Sequence, residues 1–278
     1  MRRLCVEDFP PSPRDSPAGI FVILVNEQPA ALWYESKRTM NQLVQPSRAR
    51  RPASRFWRAV AHSPAVRRAF VWTMKRLFRL QIRNAESVPW PGPYIITGNH
   101  GSHYDLFLGL AAFCERTGEL PVPVTWAGVS KIPVLGRILN GVPCVWVDRN
   151  RGADWQRLEV LRDMMAHLRT GRSLLIACEG ERRGELGEFE LGAALVSLHT
   201  GVPVLPVSLR GVQGLYSQLW RPKRLRGTVE IIVHAPMDPA VFAAGGDSRR
   251  EMAARFTDAI RQQVAGGLDY PVQLSPPQ

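Results

Sequence analysis

From residue 93 onward the chain alternates short β-prone runs with longer helical patterns, and this alternation constrains the fold more than any other feature. The β-prone runs fall at 94–97, 122–126, 144–147, 173–177, 204–209 and 229–234, and helical periodicity at 106–116, 155–169, 191–200 and 249–264. Strands separated by helices of this length are joined by crossovers, which set neighbouring strands parallel. The expected fold is α/β, a largely parallel sheet flanked by helices. The two longest uncharged runs, 87–104 and 191–209, are interrupted by Pro89, Pro91 and Pro93 and by Gly201, Pro203 and Pro206. Neither makes an apolar membrane helix of ~20 residues. The length of 278 residues fits one α/β domain with an appendage. Cysteines at 5, 114, 144 and 178 form no C-x-x-C pair, which argues against a zinc module and a disulfide scaffold and for a reducing compartment.

The appendage is basic. Eleven basic residues and no acidic one lie between positions 48 and 83, so this segment holds all but one of the +12 formal charges. Such a segment suits an anionic surface, either nucleic acid or acidic lipid. Residues 53–83 read as two short helices punctuated by Ser63-Pro64, with Ser63 as N-cap and Pro64 at the first helical position. In the second helix Val66, Phe70, Met74, Leu77 and Phe78 share one face, and Arg68, Lys75, Arg76, Arg79 and Arg83 fall opposite. Phe56, Trp57 and Trp72 add aromatic residues suited to an interface. The expectation is an N-terminal basic amphipathic helical hairpin lying on a membrane, with packing on its own domain as the alternative. The proline-rich stretch 1–52 reads as a disordered or loosely ordered leader. The expected organisation is therefore a leader at 1–52, amphipathic membrane-associating helices at 53–85, an α/β domain at 86–270 and a tail at 271–278. Met1-Arg2-Arg3 opens like a secretory signal, but Glu7, Asp8 and several prolines follow, so retention in the cytosol is expected.

Three polar clusters follow three of the strand runs. Asn99-His100-Gly101-Ser102-His103-Tyr104-Asp105 follows 94–97, Asp148-Arg149 follows 144–147, and Glu179-Gly180-Glu181-Arg182 follows 173–177. In a parallel sheet these positions share one edge, where open α/β sheets place their sites. His100 and Asp105 are five residues apart, which is not a helix-face spacing, so they meet only across a turn; Gly101 permits one. A carboxylate bonded to one imidazole nitrogen leaves the other as a base, and Asp105 is also placed to cap the helix that follows. Arg149 and Arg182 would bring two guanidinium groups to this edge, a pairing suited to phosphate. Rival readings are a metal hydrolase with His100, His103 and Asp105 as ligands, and a non-enzymatic module that binds lipid or nucleic acid. Cys178 reads as strand-end packing rather than as a nucleophile.

These residues resemble the glycerolipid acyltransferases of the lysophosphatidic acid acyltransferase type, the 1-acyl-sn-glycerol-3-phosphate acyltransferase family. Asn99-His100-x-Ser102-x-x-Asp105 resembles the NHxSxxD block, and Lys131-Ile132-Pro133-Val134-Leu135-Gly136 the basic-x-Pro-x-x-Gly segment. Val147-Asp148-Arg149 is similar to the end of the second block, and Glu179-Gly180-x-Arg182 to the EGTR block. Phe189-x-x-Gly192-Ala193 and Val202-Pro203-Val204-Leu205-Pro206-Val207 resemble the stretches that follow. The likeness covers roughly residues 90–237.

The resemblance implies transfer of a fatty acyl chain from an acyl-CoA or acyl carrier protein thioester to a lysophospholipid hydroxyl in phospholipid synthesis. The implied acceptor is 1-acyl-sn-glycerol-3-phosphate, with a lyso-aminolipid, a glycolipid or another lysophospholipid as alternatives. It implies His100 as general base, Asp105 as its orienting group, and Arg149, Glu179, Gly180 and Arg182 as the acceptor-holding set. No metal and no cofactor beyond the acyl donor is implied. The implied partners are membrane lipids and the acyl donor, not nucleic acid, at the cytoplasmic face of a membrane as a peripheral protein; nothing in the residues sets an oligomeric state. Two departures bear on the acceptor. Glu181 stands where the family often has threonine, and a carboxylate there repels a phosphate unless it is turned away. Trp126-Ala127-Gly128-Val129-Ser130 lacks the lysine of the family's Ala-Lys-x-Glu-Leu stretch.

Overall fold

The computed structural model describes residues 59, 63–90, 92–102, 104–132, 135–148, 153–179, 186–212, 228–243 and 248–268. The leader at 1–52, the first of the two expected basic helices apart from Ala59, and the tail at 271–278 lie outside the described residues.

Among the described residues, seven strands form one sheet: β1 (Gln81–Arg83), β2 (Ile95–Gly98), β3 (Val122–Trp126), β4 (Val145–Val147), β5 (Leu174–Ala177), β6 (Val204–Arg210) and β7 (Glu230–Val233). Their order is β1-β7-β6-β2-β5-β3-β4, and every neighbouring pair is parallel except β6 and β7. β2 runs at the centre, with Ile95 opposite Leu174 of β5 on one side and Val204 of β6 on the other. The helices are α1 (Pro64–Phe78), α2 (Asp105–Thr117), α3 (Leu135–Leu139), α4 (Ala153–Arg169), α5 (Gly192–Thr200), α6 (Ala240–Ala243) and α7 (Arg249–Leu268). Among the described residues no helix is long and apolar enough to cross a membrane.

The central strands are apolar on both faces because helices cover both. Ile95, Leu174 and Val204 point into one core with Met164, Val196, Phe256 and Ile260. Their chain neighbours Ile96, Leu175 and Leu205 point into the other, with Phe78, Leu108 and Phe113. Strands buried on both faces read as continuous apolar runs rather than as alternation. Gly98 ends β2 for a steric reason: a Cβ there would collide with the Val207 carbonyl oxygen of β6.

The basic helix is shorter than its charge pattern suggests. α1 ends at Phe78; Arg79 turns into the left-handed region at φ 47°, and the Leu80 N–H closes the end on the Lys75 carbonyl. Residues 81–83, expected to continue the helix, instead form β1 beside β7, and Arg83 pairs with Glu230 at 2.5 Å. Pro64 occupies the first turn as expected, but the Ser63 side chain makes no capping bond. α1 packs on α2 through Phe70, Met74 and Phe78. Val66 and Leu77, expected on that same face, are exposed, as is Trp72 at 67%.

Candidate active site

The polypeptide leaves β2 at Gly98, turns through 99–104 and enters α2 at Asp105. This turn brings a histidine and a carboxylate five residues apart into contact. The His100 Nδ1–H donates to Asp105 Oδ2 at 3.0 Å, and the Ser102 main-chain N–H donates to the same oxygen at 2.8 Å. An ionised carboxylate only accepts, so this bond assigns the imidazole proton to Nδ1 and the lone pair to Nε2. Asp105 is buried at 7% exposure, while His100 keeps 23%, open enough to meet a ligand. Burial pushes the Asp105 carboxyl above the ordinary carboxylate range, and its bonds to His100, Ser102 and Gly101 hold it partly back. Asp105 does not serve as the helix cap that its position suggested. It is the first residue of α2, and its side chain reaches back across the turn.

Two further anchors fix the turn. The Asn99 side chain clamps the Leu209 main chain of β6, donating Nδ2–H to its carbonyl at 3.0 Å and accepting its N–H at 2.8 Å. The Ser102 hydroxyl accepts the Tyr104 N–H at 3.0 Å. Asn99 and Ser102 thus have structural work in this turn, and the sequence signalled their spacing without showing what they bind.

Glu179 arrives from the next strand. β5 lies beside β2, with Ala177 opposite Gly98, so the residues after the two strand ends are neighbours. Glu179 Oε1 accepts the His100 main-chain N–H at 2.9 Å, and its Oε2 accepts the Gly187 N–H at 3.2 Å. These two bonds give Glu179 a structural role that the sequence did not signal. Its carboxylate is 5% exposed and turned inward, where it braces two main-chain segments. The Glu190 N–H donates to the Cys178 carbonyl at 2.8 Å. Cys178 is fully enclosed beside Thr97, and burial pushes its thiol up to about 12. A thiol in that state is a packing group, as read from the sequence.

The third cluster stands apart. Asp148 follows β4, the sheet edge, with β5 and β3 between it and β2. Three strand spacings of ~4.8 Å put the end of β4 roughly 14 Å from the end of β2. Residues 149, 180, 181, 182 and 103 lie outside the described residues, so the expected roles of Arg149, Gly180 and Arg182 rest on the strands that carry them. The basic-x-Pro-x-x-Gly segment runs from a 3-10 turn at Ala127–Lys131 into α3, and Gly136 is required because a Cβ would strike the Ser130 carbonyl.

Residues 79–210 match the family model described as "Acyltransferase". A Mycoplasma pneumoniae protein described as "Probable 1-acyl-sn-glycerol-3-phosphate acyltransferase" is 27% identical over 199 residues, covering 65% of this chain and 72% of its own. A chloroplastic 1-acyl-sn-glycerol-3-phosphate acyltransferase of Brassica napus is 26% identical over 163 residues, covering 58% of this chain and 45% of its own. The chain therefore spans less than half the length of that second relative. The crystal structure of the 1-acyl-sn-glycerophosphate acyltransferase from Thermotoga maritima superposes with a TM-score of 0.54 at 21% identity, over 87% of this chain and 92% of that one. At this identity the likeness is one of fold.

Proposed function

We propose, from the premise that residues 79–210 form a domain of the acyltransferase family, that the chain moves a fatty acyl group from an acyl-CoA or acyl carrier protein thioester to the free hydroxyl of a lysophospholipid. The proposed acceptor is 1-acyl-sn-glycerol-3-phosphate, the substrate named for the relatives. The observation that carries this reading is the 3.0 Å bond from His100 Nδ1 to the buried Asp105 carboxylate.

In this mechanism His100 Nε2 takes the proton of the acceptor hydroxyl as its oxygen attacks the thioester carbonyl carbon. The tetrahedral intermediate collapses with loss of the thiolate, which takes the proton back from the imidazolium. One C–O bond forms and one C–S bond breaks, with no net change at the enzyme. Asp105 holds the tautomer and stabilises the transient imidazolium, a service within reach of general-base catalysis worth roughly 10²–10⁴-fold. Gly180 and Arg182, which follow Glu179 in the sequence, and Arg149, which follows β4, are the groups proposed to hold the acceptor's phosphate.

The proposed site of action is a peripheral position on the cytoplasmic face of a membrane. The outward face of α1 supports it: Arg68, Trp72 and Arg76 repeat at four-residue spacing, and all three are exposed. Exposed aromatic and basic residues on one helix face supply both the apolar and the electrostatic part of interfacial binding.

The test is a product assay with labelled acyl-CoA and acyl carrier protein thioesters against a panel of lysolipids that includes lysophosphatidic acid and a lyso-aminolipid. Phosphatidic acid as main product supports the reading. Preferential acylation of a lyso-aminolipid would replace the acceptor and implicate Glu181, and no ester product from any lysolipid would reject acyl transfer.

A further inference from the structure

Arg261 lies on α7, 74 residues from the loop it touches, and its guanidinium Nε–H donates to the Gly187 carbonyl at 2.9 Å. On the other side of the same residue, the Gly187 N–H donates to Glu179 Oε2 at 3.2 Å. The other oxygen of that carboxylate, Oε1, accepts the His100 N–H at 2.9 Å. A continuous path of three hydrogen bonds thus runs from the C-terminal helix to the backbone of the candidate general base.

The path runs through a glycine. Glycine has the widest backbone freedom of any residue, so a loop that exits through one is poorly specified unless both adjoining peptide groups are held. Here both are held by ionised side chains: the N–H by a carboxylate, the C=O by a guanidinium. Charge-assisted bonds of this kind are shorter and stronger than neutral ones. Gly187 also stands three residues before Glu190, whose N–H donates to the Cys178 carbonyl at 2.8 Å.

We propose that Arg261 is a positioning residue of the site: acting through Gly187 and Glu179, it sets the main chain of His100. This rests on the reading of His100 as the base for the acceptor hydroxyl and of Glu179 as one of the acceptor-holding set. Arg261 touches none of the reacting atoms, so its effect falls on how the acceptor is held more than on the donor.

The test compares Arg261→Ala, Arg261→Lys and Arg255→Ala in the full chain. Arg255 lies on the same helix with a 3.5 Å bond to the Phe242 carbonyl, and its removal controls for damage to α7 itself. Acyl transfer is measured with labelled acyl-CoA and lysophosphatidic acid, and hydrogen exchange is followed at the amides of 186–190 and 99–101. Arg261→Ala should raise the acceptor KM about tenfold while the donor KM stays within about twofold, since misplacement by a fraction of an ångström costs on that scale. It should speed exchange at 186–190 and at 99–101 by about tenfold or more, as expected when a local opening becomes easier. Arg261→Lys, which keeps a charged donor, should recover most of both effects, and Arg255→Ala should show neither. Unchanged exchange in Arg261→Ala overturns the proposal, as does an equal rise in both KM values or the same changes in Arg255→Ala. If the unaltered protein acylates no lysophospholipid, the proposed function fails, and the exchange at 186–190 and 99–101 still decides whether Arg261 positions the main chain of His100.

Discussion

Glu179 accepts the main-chain N–H of His100 at 2.9 Å, so the residue that follows β5 fixes the backbone of the residue that follows β2. The contact exists because the two strands are parallel neighbours with Ala177 opposite Gly98.

Glu179→Gln tests this bracing. The amide keeps one accepting oxygen and turns an NH2 group toward an N–H donor, so one of the two bonds is lost. Leaving a buried donor unsatisfied costs about 1–3 kcal/mol. The variant should unfold at lower urea concentration with an unchanged m-value and should show a raised acceptor KM. Stability and KM both equal to the unaltered protein would mean that the bonds to His100 and Gly187 carry no weight.

Asp105→Asn separates stability from activity through pH. The folded protein holds the Asp105 carboxyl above its ordinary range, chiefly by burial. Between the ordinary value of about 4 and the raised one, the folded state binds more protons than the unfolded state. Stability attributable to this group is therefore full at low pH and declines as pH rises through that window. Asparagine does not ionise, so the Tm of the variant relative to the unaltered protein should climb as pH rises above about 4. Acyl transfer should fall by no more than the loss on removing His100. A Tm difference independent of pH would contradict the burial of an ionising group here.

How much of this was legible in the sequence depends on whether a feature is local. β2, β3, β5 and β6 were readable as short runs rich in apolar residues, and the His100–Asp105 pair because a glycine-bearing turn lies between its members. β1 was not readable: three residues, Gln81-Ile82-Arg83, continue the charge pattern of the preceding helix, and only pairing with β7 makes them a strand. Val66 and Leu77 were misassigned because helical periodicity marks an apolar stripe without saying how much of it a neighbour covers. Glu179 was recognised as a site residue but not for its direction, since spacing gives the loop and not the rotamer. The Asn99 clamp and the Arg261 contact were invisible, as their partners lie 110 and 74 residues away.

Cys178 should be chemically silent. Its thiol is buried, bonded to Thr97 and pushed up to about 12, so almost none is thiolate at neutral pH. Incubation of the native protein with iodoacetamide should leave Cys178 unmodified by mass spectrometry, and Cys178→Ala should retain acyl transfer. Rapid native-state alkylation at Cys178 with loss of turnover would revive a thiol nucleophile.

The outer face of α1 should govern membrane contact. Each Lys or Arg near an anionic surface contributes ~1 kcal/mol, so replacing Arg68 and Arg76 together by alanine should weaken vesicle binding roughly 30-fold at low salt. Trp72→Ala should weaken it further and leave the salt dependence unchanged. Co-sedimentation with vesicles of graded anionic content measures both effects. Equal binding by the substituted and unaltered proteins would move the membrane contact to another surface.

The central claim is that His100, oriented by Asp105, is the base that activates the acceptor hydroxyl. The most direct measurement is the turnover of purified His100→Ala with labelled acyl-CoA and lysophosphatidic acid, beside a urea unfolding curve of the same preparation. Turnover should drop by roughly 10²–10⁴-fold with the folded fraction intact. A folded His100→Ala protein that turns over near the unaltered rate would contradict the account.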